Sequence, residues 1–466
     1  MKLGNKGFAI SSVLYMALVV FLILITSLLA MMGGRKNILD KLRNDAFANV
    51  NGIPEKGTNT NVELDIAFPT MTDNMIPIVY TPTGLVVKAD TEGNKNRNWY
   101  NYNQRKWANA ILVTQASRAY YQSADPGTTI NTDDILAYFV WIPRYKYVVN
   151  TTTKAIAIVF ENKTVGKSSG TGTDTSYYTH PAFTWDGTEL NGIWVGKFET
   201  SGSMANSYSS GLTGLRILPG KEPISNESVK KMFLNSRKME VKGNIYGFSQ
   251  TGTNNVSKIL SCTTFVTGTS KCDDDSCMTY CGTIENDSNK LDTHVLKNTE
   301  WGAVALLSQS QYGINATLTP NTTDCTGGDC EKLSYLVSSD QSTTGNMYGI
   351  YDMSGGLWEI TMGYYGTIVF REEALVNYEI NTKYYDKYIG GGAAINGDAN
   401  NLENSLSVLA EYHFSTRGGA GSNPNYVGIY KRSSLKYNEN TFLGASDVDS
   451  TPSETTGFRI SLVIWE

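Results

Sequence analysis

The sequence predicts an α+β chain with a long N-terminal hydrophobic helix, a small β unit and then a larger, irregular, loop-rich domain. Three observations predict it. Gly7 to Gly34 carries no charge at all. Short β-branched runs broken by turn residues fill the stretch from Ile76 to Val113. From Asp133 onward, apolar strand-like runs alternate with loops rich in Gly, Asn, Ser and Thr, and only two stretches have a good helical pattern. The expected division is 1–50 for the apolar helix, 51–61 for a linker, 62–132 for the small β-rich unit and 133–466 for the large domain.

The apolar run Phe8 to Met32 makes a helix about 37 Å long. That exceeds the roughly 30 Å hydrocarbon core of a bilayer. A cleaved secretory signal has an apolar part of only about 7–15 residues, so this run is too long for one. Lys2 and Lys6 precede it, and Arg35, Lys36, Lys41 and Arg43 follow, so flanking charge does not orient it. Two readings stand. One is an uncleaved single-pass anchor. In the other, Lys6-Gly7-Phe8 before an apolar helix resembles a type IV prepilin, whose peptidase cuts after the glycine, here Gly7, and leaves Phe8 as the new terminus. Ser12 stands where such pilins carry Glu. Ile38, Leu39, Leu42, Ala46 and Phe47 continue a helical stripe, and Asn51 to Asn61 reads as the linker.

The chain has 466 residues, 41% of them apolar and only 18% charged. Its polarity comes instead from Asn, Ser, Thr, Gly and 28 tyrosines, a mix suited to an extracellular β-rich protein. Net charge is −5 with no basic block beyond the membrane flank, which excludes nucleic acid as an expected partner. All six cysteines (Cys262, Cys272, Cys277, Cys281, Cys325 and Cys330) fall in one stretch. An even count in an exported chain predicts disulfides, with the pairing left open. The rival is structural zinc. It has no two-residue cysteine knuckle and only His294 as a nearby imidazole.

Along the chain, Ile76–Tyr80 and Gly84–Lys88 read as a hairpin, followed by Trp99–Tyr102 and Trp107–Val113. Trp99, Tyr100, Tyr102 and Trp107 form either a sugar-stacking platform or, as cross-strand aromatics commonly do, sheet packing. Ala137–Ile142, Lys154–Phe160 and Ile193–Phe198 are further strands. Ser225–Val241 is a helix with Ser225 as its cap, and Leu296–Tyr312 is the second helix.

Four segments then occur in order: Asn298-Thr-Glu-Trp301, Gly349-Ile-Tyr-Asp-Met-Ser-Gly-Gly-Leu-Trp-Glu-Ile-Thr361, Thr416-Arg-Gly-Gly-Ala420 and Gly457-Phe-Arg-Ile460. The series resembles the formylglycine-generating-enzyme (sulfatase-modifying factor) family, which implies a C-type-lectin-like fold. Phe139-Val-Trp-Ile-Pro143 and Trp194-Val-Gly-Lys-Phe-Glu199 extend the resemblance over 133–466. Read physically, Gly355 and Gly356 permit a tight backbone turn. Trp301 and Trp358 are core anchors, and Arg417 and Arg459 are multi-donor cations able to pin Glu300 or Glu359.

The resemblance also implies chemistry that this chain lacks. The family's copper-binding cysteine pair lies between the RGG and GFR motifs, and Arg417 to Gly457 contains no cysteine. A related branch uses a three-histidine iron site, and here His180, His294 and His413 are widely spaced. Gly356 replaces an Asn of a motif that implies structural calcium, and Glu359 keeps its carboxylate as the candidate ligand. No other cofactor is expected. The chain has no P-loop and no H-E-x-x-H motif.

What remains is binding. The stretch after Arg417 is rich in Tyr, Ser, Asn and Gly, residues that recur in antibody paratopes and equally in ordinary exposed loops. Tyr426, Tyr430, Tyr437, Asn425 and Asn438 are the candidate contact residues. Some relatives of this fold are diversified ligand-binding proteins of retroelement systems, which vary this same region. The expected protein is a non-enzymatic, adhesin-like bacterial surface protein, held by a single membrane pass or in a pilus. Its expected partners are the membrane, pilus or secretion-system subunits, and an extracellular glycan or protein. The alternatives are an oxidoreductase with an altered active site and a purely structural minor pilin.

Mass spectrometry of the mature terminus separates the two N-terminal readings. Processing predicts Phe8 as the first residue. An intact Met1 or Lys2 leaves the uncleaved anchor.

Overall fold

The computed structural model describes residues 66–91, 98–205, 212–241, 243–248, 262–267, 270–271, 290–322, 339–366, 368–372, 376–389, 397–399, 413–422, 427–436 and 453–465. Contacts divide the chain into Met1–Gly57 and Thr58–Glu466, and every described residue belongs to the second unit. The apolar run with Gly7 and Phe8, the linker, and Cys272, Cys277, Cys281, Cys325 and Cys330 lie outside the described residues. Cys262 opens a short strand, Cys262–Thr267. Among the described residues no helix is long and apolar enough to cross a membrane.

The fold is mixed α+β, mostly strands with few helices. In chain order, the strands of its two main sheets are β1 (Ile76–Tyr80), β2 (Val86–Lys88), β3 (Asn109–Val113), β4 (Ile135–Pro143), β5 (Gly192–Gly196), β6 (Leu291–Val295), β7 (Trp358–Tyr365), β8 (Asp386–Tyr388), β9 (His413–Gly418), β10 (Gly428–Lys436), β11 (Thr456–Phe458) and β12 (Ile460–Ile464). The larger sheet is antiparallel, in the order β6-β12-β5-β4-β3-β1-β2. Its central strand β4, ILAYFVWIP, is buried along its whole length, as a continuous apolar run requires. In the second sheet β7 pairs parallel with β8 and β11 and antiparallel with β9, which pairs in turn with β10.

The expected boundary between 62–132 and 133–466 falls inside the larger sheet. β3 pairs with β4 over Asn109↔Val140, Ala110↔Phe139 and Ile111↔Tyr138. The physical reason is size. Three short strands cannot bury enough surface to stand alone, so they complete a larger sheet. The same packing removes the stacking platform. Trp99 and Trp107 are fully buried, and Tyr100 and Tyr102 nearly so. Trp99 lies 6.4 Å from Trp194 of β5, and Trp194 lies 5.2 Å from Trp141 of β4. Buried indoles need an acceptor, and each finds a backbone carbonyl: Trp99 that of Asn109, Trp107 that of Tyr312, Trp141 that of Ala67 and Trp194 that of Thr70.

Three α-helices among the described residues pack on this frame: α1 (Gln115–Ser123), α2 (Val229–Arg237) and α3 (Asn298–Ser308). α2 starts later than the sequence suggests. Ser228, not Ser225, is its cap, its hydroxyl accepting from the Lys231 amide at 3.2 Å. α2 covers the outer edge of the larger sheet, where Arg237 donates to the Thr293 carbonyl and the Thr293 hydroxyl to that of Ser236. α3 is buried on every side, so it is a core helix and not an amphipathic surface one.

The two sheets meet at Arg459, between β11 and β12. Its guanidinium forms a bidentate pair with Glu359 of β7, with Nε at 2.9 Å from Oε2. It also donates to the carbonyls of Gly196 at 2.9 Å and Tyr351 at 3.0 Å. Beside it, Gly355 and Gly356 have φ of +83° and +72°. A Cβ on Gly355 would meet the Asn321 carbonyl oxygen at 2.2 Å, so glycine is required there by both dihedral and space.

Trp301 is fully buried and donates to the Ile429 carbonyl at 2.8 Å, whereas Trp358 is only partly buried. Chemical denaturation should show Trp301→Ala losing about 3–5 kcal/mol of stability and Trp358→Ala clearly less. Equal losses would contradict this packing.

Candidate functional site

The candidate contact residues belong to the β9–β10 hairpin and the chain beyond it. Tyr426, Tyr437, Asn425 and Asn438 lie outside the described residues. Tyr430 does not occupy an exposed loop. It lies within β10 and is 8% exposed, so its ring is not a contact surface. Ile429 and Tyr430 are adjacent in the strand and both buried, so both faces of β10 are covered here, which loop composition could not reveal.

The hairpin is rooted from behind. Arg417 of β9 is fully buried, and its Nε donates to Asn298 Oδ1 at 2.7 Å. Its Nη1 donates to the Tyr430 carbonyl at 3.2 Å and its Nη2 to the Asp398 carbonyl. Asn298 in turn accepts from Thr361 Oγ1 at 3.2 Å and donates to the Tyr388 hydroxyl. Tyr388 donates onward to Asp398 Oδ2 at 2.9 Å. Burial draws the Arg417 guanidinium down to about 10, still charged at neutral pH. The expectation that Arg417 pins a glutamate is replaced by this carbonyl-and-amide network. Arg459 does hold Glu359, as its residue type suggested.

Glu359, the candidate calcium ligand, is paired with Arg459. Both carboxylate oxygens accept from Arg459, and the side chain is fully buried. Among the described residues no three ligating side chains converge on one point. Glu199 and Asp352 flank the pair. Glu199 Oε1 accepts from the Leu357 amide at 2.7 Å, and Asp352 Oδ1 from Asn321 Nδ2 at 2.9 Å. Burial, with mutual repulsion, pushes the Glu199 carboxyl well above its ordinary range.

A second cluster of buried charge lies elsewhere and had little signal in the sequence. His294 of β6 is fully buried, with Nδ1 at 3.0 Å from Asp292 Oδ1 and Nε2 at 3.1 Å from both oxygens of Glu300. Carboxylates only accept, so both ring nitrogens donate and the ring is an imidazolium. Trp185 stacks on it at 4.5 Å. Arg237 pairs with Asp292 at 2.7 Å and with Glu240, and the Tyr384 hydroxyl donates to Asp292 Oδ2 at 3.0 Å. The one available signal was spacing, since residues two apart in a strand share a face.

This arrangement resembles an acid–base triad only in composition. It is sealed from solvent, and among the described residues no serine, threonine or cysteine side chain bonds to His294, Asp292 or Glu300. A G-x-S-x-G string, Gly166-Lys167-Ser168-Ser169-Gly170, runs into an outlying strand, Ser169–Thr173, and not into the strand-to-helix elbow that chemistry needs. His180 is buried apart, with Nε2 3.0 Å from the Gly397 carbonyl, and burial lowers it to about 3. The histidines therefore do not converge.

The network has a pH signature. Burial works against the His294 charge, but Glu300 and Asp292 outweigh it and hold the imidazolium above its ordinary 6.5. His294 lowers Glu300 below its ordinary 4.5, and Arg237 with His294 lowers Asp292 below 3.8. The histidine's contribution to stability is thus full below pH 6.5 and is lost as pH rises through its folded value. The carboxylates' contributions are full above 4.5 and are lost as pH falls. Nitrogen NMR of labelled histidine at pH 6 should show His294 with both nitrogens protonated and His180 neutral. The stability advantage over His294→Gln should fade above pH 6.5. A neutral His294 at pH 6 would refute the assignment.

No family model and no curated protein matches this chain. One solved structure, Treponema denticola variable protein 1, aligns with 59% of this chain and 85% of its own length, at 13% identity and a TM-score of 0.25. That similarity is too slight to bear on the fold or the function.

Proposed function

We propose that this chain is a bacterial surface protein, membrane-tethered or pilus-associated, whose C-type-lectin-like domain binds an extracellular glycan or protein without turning it over. The observation that carries the reading is the rooted hairpin. A buried network of Arg417, Asn298, Tyr388 and Asp398 stands behind β9 and β10, and Trp301 holds the Ile429 carbonyl from the same side. The chain leaving this scaffold is rich in Tyr, Asn, Ser and Gly. A rigid base carrying aromatic and small polar residues lowers the ordering cost of binding. The absence of cysteine between Arg417 and Gly457 removes the residues on which the resembled oxidases depend.

The test uses the compact unit Thr58–Glu466, because cutting at 133 would tear β3 from β4. Glycan and protein arrays should yield a ligand for it. Tyr426→Ala and Tyr437→Ala should each weaken that binding by about 1–2 kcal/mol, as interface anchors do, with stability unchanged. Undiminished binding in the double variant would discard this surface. Copper-dependent oxidation of a cysteine peptide by the purified unit would discard the non-enzymatic reading.

A further inference from the structure

Lys197 follows β5 and is fully buried. Its amide donates to the Tyr138 carbonyl of β4 at 3.0 Å. Its Nζ ends 2.8 Å from Oδ1 of Asn109, which opens β3 and is also fully buried. In the sheet β4 lies between β5 and β3, so the two side chains meet across the central strand.

No carboxylate accompanies this lysine among the described residues. Its other partners are the carbonyls of Met347 at 2.5 Å and Gly349 at 3.0 Å, with the rings of Tyr80 and Tyr351 at 5.1 and 5.6 Å. A buried ammonium without an anion is costly, and burial accordingly draws the amine well below its ordinary value. A neutral amine has two hydrogens and one lone pair. The two backbone carbonyls, which can only accept, take the hydrogens. Asn109 Oδ1 accepts the third hydrogen of the ammonium form at 2.8 Å, so Nζ sits directly against the carboxamide, and loss of that proton, which burial favours, leaves the lone pair beside it. That carboxamide is itself prepared. The Tyr80 hydroxyl donates to Oδ1 at 3.3 Å, and Nδ2 is held by the carbonyls of Trp107 at 3.0 Å and Tyr348 at 2.8 Å.

We propose that Lys197 and Asn109 join in an intramolecular isopeptide bond. Nζ attacks Cγ of Asn109 and a Cγ–Nζ bond forms. Negative charge develops on Oδ1, where the Tyr80 hydroxyl stabilises it. A proton passes from Nζ to Nδ2, the Cγ–Nδ2 bond breaks and ammonia leaves. The step is a transamidation, so it needs no oxidant, reductant or second substrate. The folded sheet supplies what solution lacks, an amine and a carboxamide held in contact and away from water. The product staples β3 to the end of β5 across β4, closing a covalent loop between residues 88 apart in sequence. This inference does not depend on the ligand-binding reading.

The test is a peptide map of the purified full chain, folded, then reduced, denatured and digested with trypsin. The expected result is a branched peptide joining the Asn109 and Lys197 segments. Its mass is one ammonia below their sum, and no cleavage follows Lys197. Recovery of unmodified Asn109 in a linear peptide, with normal cleavage after Lys197, overturns the proposal without recourse to any variant. Tyr80→Phe keeps the ring and removes the donor, so the crosslinked fraction should fall. Complete crosslinking in that variant would overturn the role given to Tyr80. Lys197→Arg should abolish the branched peptide.

Discussion

The Arg459–Glu359 pair is the constraint on which the rest of this structure depends. Glu359 belongs to the second sheet, and Arg459 leads directly into β12 of the first. One guanidinium therefore fixes the distance between two layers. Its remaining hydrogens hold the Gly196 carbonyl at the end of β5 and the Tyr351 carbonyl in the loop before β7. A planar fork with five donors can satisfy a carboxylate and two carbonyls at once, which a lysine cannot. Removing either charge would leave the other buried and unpaired, a cost of roughly 3–5 kcal/mol.

Buried polarity recurs throughout the core, where it joins different elements of the fold. Arg417 ties the hairpin to α3. His294 and Asp292 tie β6 to α3 and α2 through Glu300 and Arg237. Arg144 is buried beside Glu161 and Glu189. A fold with short strands and long connections has few extended apolar faces to specify its packing. Directional bonds then do part of that specification. The same logic roots the β9–β10 hairpin, where Arg417 and Trp301 hold the Tyr430 and Ile429 carbonyls.

Much of this frame was legible in the residues. The β1–β2 hairpin, the continuous apolar strand around Trp141, the strand around Trp194 and the helix opening at Asn298 follow from periodicity and turn chemistry. So does the left-handed turn at Gly355 and Gly356. Other features were not legible. Ser228 and Ser225 are equally good caps in isolation, and only packing of α2 against β6 chooses between them. Tyr430 has loop-like neighbours but pairs within β10. The aromatics from Trp99 to Trp107 suit a platform or a core equally, until Trp194 and Trp141 arrive from distant strands to cover them.

The sequence by itself determined local geometry and the stock of chemistry: where strands run, where backbone must turn left-handed, and that no cysteine stands between Arg417 and Gly457. Those are properties of neighbouring residues and of their absence. Only the tertiary structure decided which groups meet. It spent Glu359 on Arg459, drove Tyr430 inward, made an imidazolium of His294 and set the Lys197 amine against the Asn109 carboxamide. The Glu359–Arg459 and Lys197–Asn109 contacts join residues 100 and 88 apart in the chain, and the imidazolium, whose carboxylate partners stand two and six residues away, depends on the water excluded around it.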